Sequence, residues 1–169
     1  LTIVCYKTSF KGLIEADGCF YVSHKSSGSE EPKPETSTIT LTVDGLPTTY
    51  PKEETTVTLG GIENYIFNVA NYGSGIQMKK QGSYIANKSA FKRITKIKVT
   101  TAEDKKYYPD NVSLYVGNSA KPEDTAITGT NDDVSTTFDL SSGNYTFFTI
   151  KNASKYAVYF SKIEITCEK

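Results

Sequence analysis

The strongest constraint on the fold of this chain is a two-residue alternation of apolar and polar side chains that returns along most of its length. Ile39, Leu41 and Val43 alternate with threonines, and residues 112–116 and 163–165 repeat the pattern. Such alternation places the apolar side chains on one face of an extended strand and the polar ones on the other. The sequence therefore predicts strands that have one buried and one solvated face.

Further runs rich in Thr, Val, Ile, Tyr and Phe have the composition of strands as well. Short turn segments such as Gly60-Gly61 and residues 141–144 separate them. No intervening segment has the length and 3.6-residue period of a crossover helix, which argues against a parallel α/β sheet. We therefore predict an all-β fold, an antiparallel β-sandwich of jelly-roll-like type with about ten strands. The further predicted runs are Thr55–Leu59, Ile62–Val69, Gly75–Lys79, Tyr84–Ala86, Arg93–Thr101, Ser135–Leu140, Tyr145–Lys151 and Tyr156–Phe160.

The domain organisation follows from one stretch without apolar residues. Residues 25–35 contain Ser, Gly, Pro and alternating charges, a composition that cannot pack into a core. We predict a linker over residues 25–36, a β-sandwich domain over residues 37–169, and residues 1–24 as the remnant of an upstream segment. An upstream domain of the same polypeptide is the expected partner.

The charge balance narrows the possible ligands. The chain has 19 basic and 19 acidic side chains and a sequence pI near 6.8, whereas nucleic-acid binders are typically strongly basic. Arg93 is the single arginine and His24 the single histidine, so a multi-histidine metal site is excluded. We predict no nucleic-acid partner. We also predict no catalytic residues, although hydrolysis by two carboxylates requires neither an arginine nor a histidine. No apolar run is long enough for a transmembrane helix.

No metal or cofactor site is predicted. Cys5, Cys19 and Cys167 form no C-x-x-C pair, so we interpret them as buried or incidental thiols. The acidic turn at residues 131–133 offers oxygen ligands but lacks the ordered spacing of a calcium loop, and a solvated turn and a structural calcium site both remain open.

The second half of the chain resembles a known family. The succession of residues 94–99, 112–117 and 145–152, closing on residues 156–165, is similar to β-sandwich domains common in secreted and surface-exposed proteins of Bacteroidetes. These domains often lie at the C-terminal end of larger exported proteins and are described as adhesin-like or carbohydrate-binding-like. The resemblance covers roughly residues 37–169 and implies an extracellular or cell-surface location, without implying catalytic residues.

A second, local resemblance concerns residues 10–22. The run from Phe10 to Gly18 resembles the LAGLIDADG motif of homing endonucleases, in which a helix ends at a metal-binding acid, here matching Asp17. The resemblance implies a helix over about residues 8–16 and divalent-metal phosphodiester cleavage. The competing interpretation is that Ala16-Asp17-Gly18 forms a turn between two strands.

Candidate binding residues follow from the chemistry of sugar recognition, which needs flat aromatic faces for C–H groups and amides or carboxylates for hydroxyls. Twelve tyrosines are available, and those in loops near Asn or Gln are the best candidates. A basic stretch that includes Lys96 and Lys98 is predicted to keep an edge strand soluble, with an acidic glycan as the alternative ligand. The predicted ligand-binding residues are Tyr72, Gln77, Tyr84, Asn87 and Tyr108.

These observations favour a non-catalytic extracellular β-sandwich module that binds a polysaccharide or another cell-surface ligand as an accessory domain of a larger exported protein. Two alternatives are a structural or adhesive spacer without a small-molecule ligand and a fragment of a LAGLIDADG endonuclease.

Overall fold

A computed structural model describes residues 2–10, 13–23, 34–73, 75–103, 105 and 111–169. The chain divides into two compact units, Leu1–Pro34 and Glu35–Lys169, and the fifteen described elements are all β-strands. The larger unit contains β3 (Thr36–Leu41), β4 (Thr55–Leu59), β5 (Ile62–Phe67), β6 (Val69–Asn71), β7 (Ile76–Met78), β8 (Tyr84–Asn87), β9 (Ile94–Thr101), β10 (Val112–Gly117), β11 (Ala126–Ile127), β12 (Thr130–Asn131), β13 (Ser135–Asp139), β14 (Phe147–Asn152) and β15 (Val158–Glu168).

The smaller unit contains an antiparallel hairpin of β1 (Thr2–Phe10) and β2 (Leu13–Ser23). The helix implied by the LAGLIDADG resemblance is wrong, because Asp17 lies inside β2. The alternative turn at Ala16-Asp17-Gly18 is wrong as well, since Ala16 and Asp17 lie within β2 and pair with Lys7 and Tyr6 of β1. The β-branched and aromatic residues that surround the motif favour strands over a helix. Residues 24–33, which carry most of the predicted linker, lie outside the described residues.

The larger unit is an antiparallel β-sandwich, which confirms the predicted fold class. One sheet, called sheet I, has the strand order β11-β10-β14-β8-β5-β4. The other, called sheet II, has the order β12-β13-β9-β15-β7-β6, and β3 also pairs with β15. From β8 onward the chain passes repeatedly from one sheet to the other, as in a jelly roll. The two sheets together hold thirteen strands among the described residues, against about ten predicted.

The strand count differs from the prediction for local reasons. The predicted run Ile62–Val69 is two strands, because Asn68 adopts a φ of +52° between β5 in sheet I and β6 in sheet II. Asparagine tolerates this left-handed conformation better than most residues. The strands β11 and β12 have two residues each, too few to produce an alternation that a sequence pattern could reveal.

The position of β9 corrects the interpretation of the basic stretch. β9 pairs with β13 on one side and with β15 on the other, so it is an interior strand and not a sheet edge. Lys98 faces Glu164 across the sheet and Lys96 faces Asp139. Opposite charges on neighbouring strands stabilise the pairing. These two pairs explain how Lys96 and Lys98 are accommodated in an interior strand.

The core lies between the two sheets and consists of the inward members of the alternating pattern. Phe138, Phe148 and Phe160 are its largest buried side chains, with Leu41 and Met78 beside them. Each fully buried apolar side chain contributes about 1.5–3 kcal/mol. Because the inward positions are occupied by the core, the solvated faces of the strands carry the polar and aromatic side chains from which a binding site can be built.

Candidate functional site

A group of three tyrosines and a glutamine lies on the outer face of sheet II where β6, β7 and β15 meet, and we call it the tyrosine cluster: Tyr50, Tyr72, Gln77 and Tyr159. Gln77 is the middle residue of β7, between Ile76 and Met78, which both point into the core. Alternation therefore directs the Gln77 side chain to the outer face. Its register partners are Ala70 on β6 and Tyr159 on β15.

The loop before β4 brings Tyr50 onto this surface. The carbonyl oxygens of Pro47 and Pro51 accept hydrogen bonds from the backbone N–H groups of Asn71 (2.9 Å) and Asn68 (3.2 Å). The loop thus runs beside β6 and satisfies two donors there. Proline suits this position because its own nitrogen has no hydrogen to satisfy.

Gln77 connects two tyrosine hydroxyls through its amide. The hydroxyl of Tyr50 donates to Oε1 of Gln77, and Nε2 of Gln77 donates to the hydroxyl oxygen of Tyr159 at 2.7 Å. Gln77 itself is only 6% exposed, whereas both tyrosines are half-buried. The buried amide therefore holds the two phenols in fixed positions at the surface.

The ring faces of the three tyrosines differ in how far they are open to a ligand. Nζ of Lys79 lies 4.5 Å from the ring centre of Tyr50, and Nζ of Lys105 lies 5.1 Å from that of Tyr159, distances typical of cation–π contacts. Tyr72 is 60% exposed, and its ring centre is 6.4 Å from that of Tyr159. Tyr72 therefore offers the open stacking face, while Tyr50 and Tyr159 offer mainly their hydroxyls.

The electrostatics keep Tyr50 protonated. Burial is the largest cause that raises the pKa of Tyr50 above its usual value near 10, and the neighbouring Tyr159 and Tyr72 raise it further. A neutral phenol at physiological pH keeps its hydrogen and can donate it. The Tyr50 hydroxyl consequently remains a hydrogen-bond donor to Gln77.

The structure brings together two of the predicted site residues and separates the others. Tyr72 and Gln77 share the tyrosine cluster, whereas Tyr84 lies on β8 in sheet I. Asn87 is 1% exposed, and within the described part of the chain its side chain bonds only backbone groups. Its buried amide therefore serves the fold. Tyr108 lies outside the described residues.

Tyr50 and Tyr159 were not predicted as site residues from the sequence. Tyr159 alternates with Val158 and Phe160, and this pattern could have identified it as an outward aromatic residue on a strand. Tyr50 lies in an irregular loop 27 positions from Gln77, and no local pattern indicates the contact between them.

Tyr84 belongs to a separate aromatic surface on sheet I. Its hydroxyl donates to a carboxylate oxygen of Glu54, which also receives Nζ of Lys121 at 2.8 Å. These hydrogen bonds, with that of Lys121 the largest contribution, lower the pKa of Glu54. Phe67 lies 5.9 Å from Tyr84 between ring centres. The paired rings of Phe67 and Tyr84 and the ion pair between Glu54 and Lys121 therefore form a set of structural contacts on sheet I that is separate from the tyrosine cluster.

The lowered pKa of Glu54 predicts a small acid sensitivity. Stability that depends on the ionised carboxylate is present above the unfolded pKa and is lost as the pH falls through the lower folded pKa. We expect Glu54→Gln to lower the free energy of unfolding at neutral pH by less than about 1 kcal/mol, as for a surface ion pair. At about pH 2 the difference from the parent protein should vanish.

Urea unfolding at both pH values measures this effect, and Glu53→Gln controls for the loss of one negative charge nearby. An equal effect of Glu54→Gln at both pH values would contradict the assigned ionisation.

In the acidic turn at residues 131–133, the carboxylate of Asp132 accepts hydrogen bonds from within the turn and the start of β13. Oδ1 of Asp132 accepts from the backbone N–H groups of Val134 (2.9 Å) and Ser135 (2.6 Å), and Oδ2 accepts from the Ser135 hydroxyl at 2.7 Å. The Ser135 hydroxyl contributes most to lowering the pKa of Asp132. The side chain therefore stabilises the turn between β12 and β13. Within the described residues, no group of three or more His, Cys, Asp or Glu could hold a metal ion.

The single arginine likewise has structural partners. The Arg93 guanidinium contacts Glu168 at 2.9 Å and donates to the backbone carbonyls of Gly143 and Ser141. It fastens the loop before β14 to the end of β15. Of the cysteines, Cys167 is a buried free thiol, in agreement with the interpretation of that residue.

The described fold and surface define an all-β sandwich module with a solvent-facing tyrosine cluster. Comparison with models of known protein families finds no match, and comparison with curated proteins finds none either. A similar solved structure is a low-affinity xylan-binding module, CBM86, from the gut symbiont Roseburia intestinalis. The identity is 14%, the match covers 76% of this chain and 94% of that chain, and the TM-score is 0.39.

One further property concerns membranes: among the described residues there is no helix both long and apolar enough to cross a bilayer.

Proposed function

We propose that residues 35–169 form a non-catalytic, exported module that binds a glycan at the tyrosine cluster and serves an upstream domain of the same polypeptide. The observation that carries the proposal is an exposed ring, Tyr72, beside two phenol hydroxyls that a buried amide holds in place. A sugar presents C–H groups that pack on an aromatic face and hydroxyls that exchange hydrogen bonds with phenols.

The position of the cluster supports this proposal. It lies on the outer face of regular strands and beside a loop that backbone hydrogen bonds hold in place. Sites built on strands and anchored loops lose little conformational entropy when a ligand binds. A glycan chain could approach this face from solvent, because Tyr72 is mostly exposed.

Direct binding measurements test the proposal. Soluble β-glucan, xylan, mannan and polygalacturonate are titrated into the protein by calorimetry, and we expect binding to at least one of them. Tyr72→Ala should weaken that binding about tenfold, because one aromatic stacking face contributes about 1–1.5 kcal/mol.

The matched control is Tyr156→Ala, which removes an equally exposed tyrosine (66%) that has no contact with the cluster among those described. We expect it to leave the affinity unchanged. Absence of binding to all four polysaccharides, or equal losses in the two variants, would refute glycan binding at this cluster. The first result would favour the structural or adhesive spacer.

A further inference from the structure

The amide of Gln77 makes the two tyrosine hydroxyls chemically different. An amide side chain has an oxygen that only accepts hydrogen bonds and a nitrogen that only donates them. Tyr50 is bonded to the oxygen and Tyr159 to the nitrogen. The two phenols therefore cannot carry the same unused hydrogen-bonding capacity.

The bond to Gln77 determines which hydrogen-bonding capacity each tyrosine hydroxyl has left for a ligand. The hydroxyl hydrogen of Tyr50 is engaged by Oε1 of Gln77, so its oxygen can only accept from a ligand. The oxygen of Tyr159 already accepts from Nε2, and its hydrogen has no hydrogen-bond partner in the part of the chain that the structure describes, so this hydrogen is available to donate. Turning the amide end for end would exchange these roles without making them equal.

Burial keeps this arrangement in place. Gln77 is 6% exposed and its strand pairs on both sides, with Ala70 and with Tyr159. A buried amide deprived of either phenol would leave a polar atom unpaired, which is costly. The asymmetry is therefore a fixed property of the surface before any ligand arrives.

We propose that Gln77 is a positioning residue that makes the tyrosine cluster selective for glycans with free hydroxyl groups over O-methylated or O-acetylated ones. The proposal rests on the proposed function. A free hydroxyl can donate to Tyr50 and can also accept from Tyr159. An ether or ester oxygen has no hydrogen, so it can pair with Tyr159 but gains nothing at Tyr50.

Two phenylalanine variants separate this electronic selectivity from a steric one. Soluble β-glucan, xylan and mannan oligosaccharides, each native and fully O-methylated, are titrated into the parent protein, Tyr50→Phe and Tyr159→Phe. We expect Tyr50→Phe to reduce the native-to-methylated affinity ratio about two- to tenfold, the value of one hydrogen bond. Tyr159→Phe should weaken both forms and leave the ratio unchanged, because Tyr159 pairs with either oxygen.

A ratio that falls equally in the two variants, falls only in Tyr159→Phe, or stays constant in both overturns the assignment. Steric exclusion of methyl groups predicts the constant ratio. Absence of binding to every native oligosaccharide overturns the proposed function together with this inference.

A ligand-independent measurement tests the hydrogen-bond geometry separately. Gln77→Glu replaces the amide with a carboxylate of the same shape, which accepts from both phenols and adds a negative charge. We expect the ultraviolet titration of Tyr50, assigned with Tyr50→Phe, to move to higher pH, while the circular dichroism spectrum is unchanged. Failure of the Tyr50 titration to shift overturns the inference even if glycans bind.

Discussion

Asn87→Ala is expected to lower the free energy of unfolding by about 1–3 kcal/mol while leaving glycan affinity at the tyrosine cluster unchanged. Nδ2 of Asn87 donates to the backbone carbonyls of Ser89 (2.8 Å) and Thr146 (3.1 Å), and Oδ1 accepts from the N–H of Phe148 at 2.7 Å. The bond to Phe148 is buried. Removal of the amide leaves the buried N–H of Phe148 without its partner, at about 1–3 kcal/mol for such a group, whereas the Thr146 carbonyl keeps its hydrogen bond from the N–H of Phe91.

Urea unfolding of the parent and variant proteins measures the loss, compared at equal slope with denaturant. The control is Asn118→Ala, whose exposed side chain accepts one hydrogen bond from the Thr146 hydroxyl. Surface substitutions of this kind change stability by less than about 0.5 kcal/mol. A stable Asn87→Ala protein that has lost glycan binding would instead support the prediction of Asn87 as a ligand-binding residue.

Asn87 illustrates where reasoning from the sequence ends. Its position next to predicted strand residues and its amide chemistry suited a ligand contact, yet its partner Phe148 is 61 residues away in the chain. Alternation predicts which face of a strand is buried, but it does not reveal which distant backbone groups lack partners. Polar side chains recruited to complete the hydrogen bonding of a sheet therefore look like surface polar residues in the sequence.

The fold class could be predicted from the sequence because the alternation of apolar and polar residues that determines it is local. The apolar residues of the alternating runs at 39–43, 112–116 and 163–165 all lie in or against the core. The order of strands in the two sheets depends on contacts between distant segments, such as the pairing of β15 with β3, β7 and β9. No periodicity within one strand specifies its neighbours, so the interior position of β9 was not predicted.

Two of the four residues of the tyrosine cluster could be predicted from the sequence, for the same reason. Tyr72 and Gln77 were predicted from residue chemistry and are close in the chain, so local structure brings them to one surface. Tyr159 arrives by pairing of β15 with β7, and Tyr50 by a loop that lies beside β6. The hydrogen-bonded unit of Tyr50, Gln77 and Tyr159 is a product of tertiary structure.

Gly75→Ala is expected to destabilise the protein by about 2 kcal/mol or more and to disturb the tyrosine cluster at the same time. Gly75 has a φ of +153°, a conformation that residues with a Cβ rarely adopt, and such strain costs about 1–3 kcal/mol. A Cβ added at Gly75 would also lie 2.3 Å from the carbonyl oxygen of Phe160. Since that obstacle is backbone, β7 and β15 would have to separate.

Gly73→Ala provides a control within the same loop, because Gly73 also has a positive φ (+73°) but nothing lies within 4 Å of an added Cβ. We expect it to cost about 1–2 kcal/mol from the left-handed backbone alone and to leave the strand pairing intact. Thermal and urea unfolding measure the stability difference, and glycan titration measures the site. The N–H of Tyr72 donates to the carbonyl of Gly75 at 3.2 Å, so separation of β7 from β15 should displace Tyr72 and weaken binding in Gly75→Ala only. Equal stability and equal affinity in the two variants would mean that close approach of Gly75 to β15 does not hold the tyrosine cluster together.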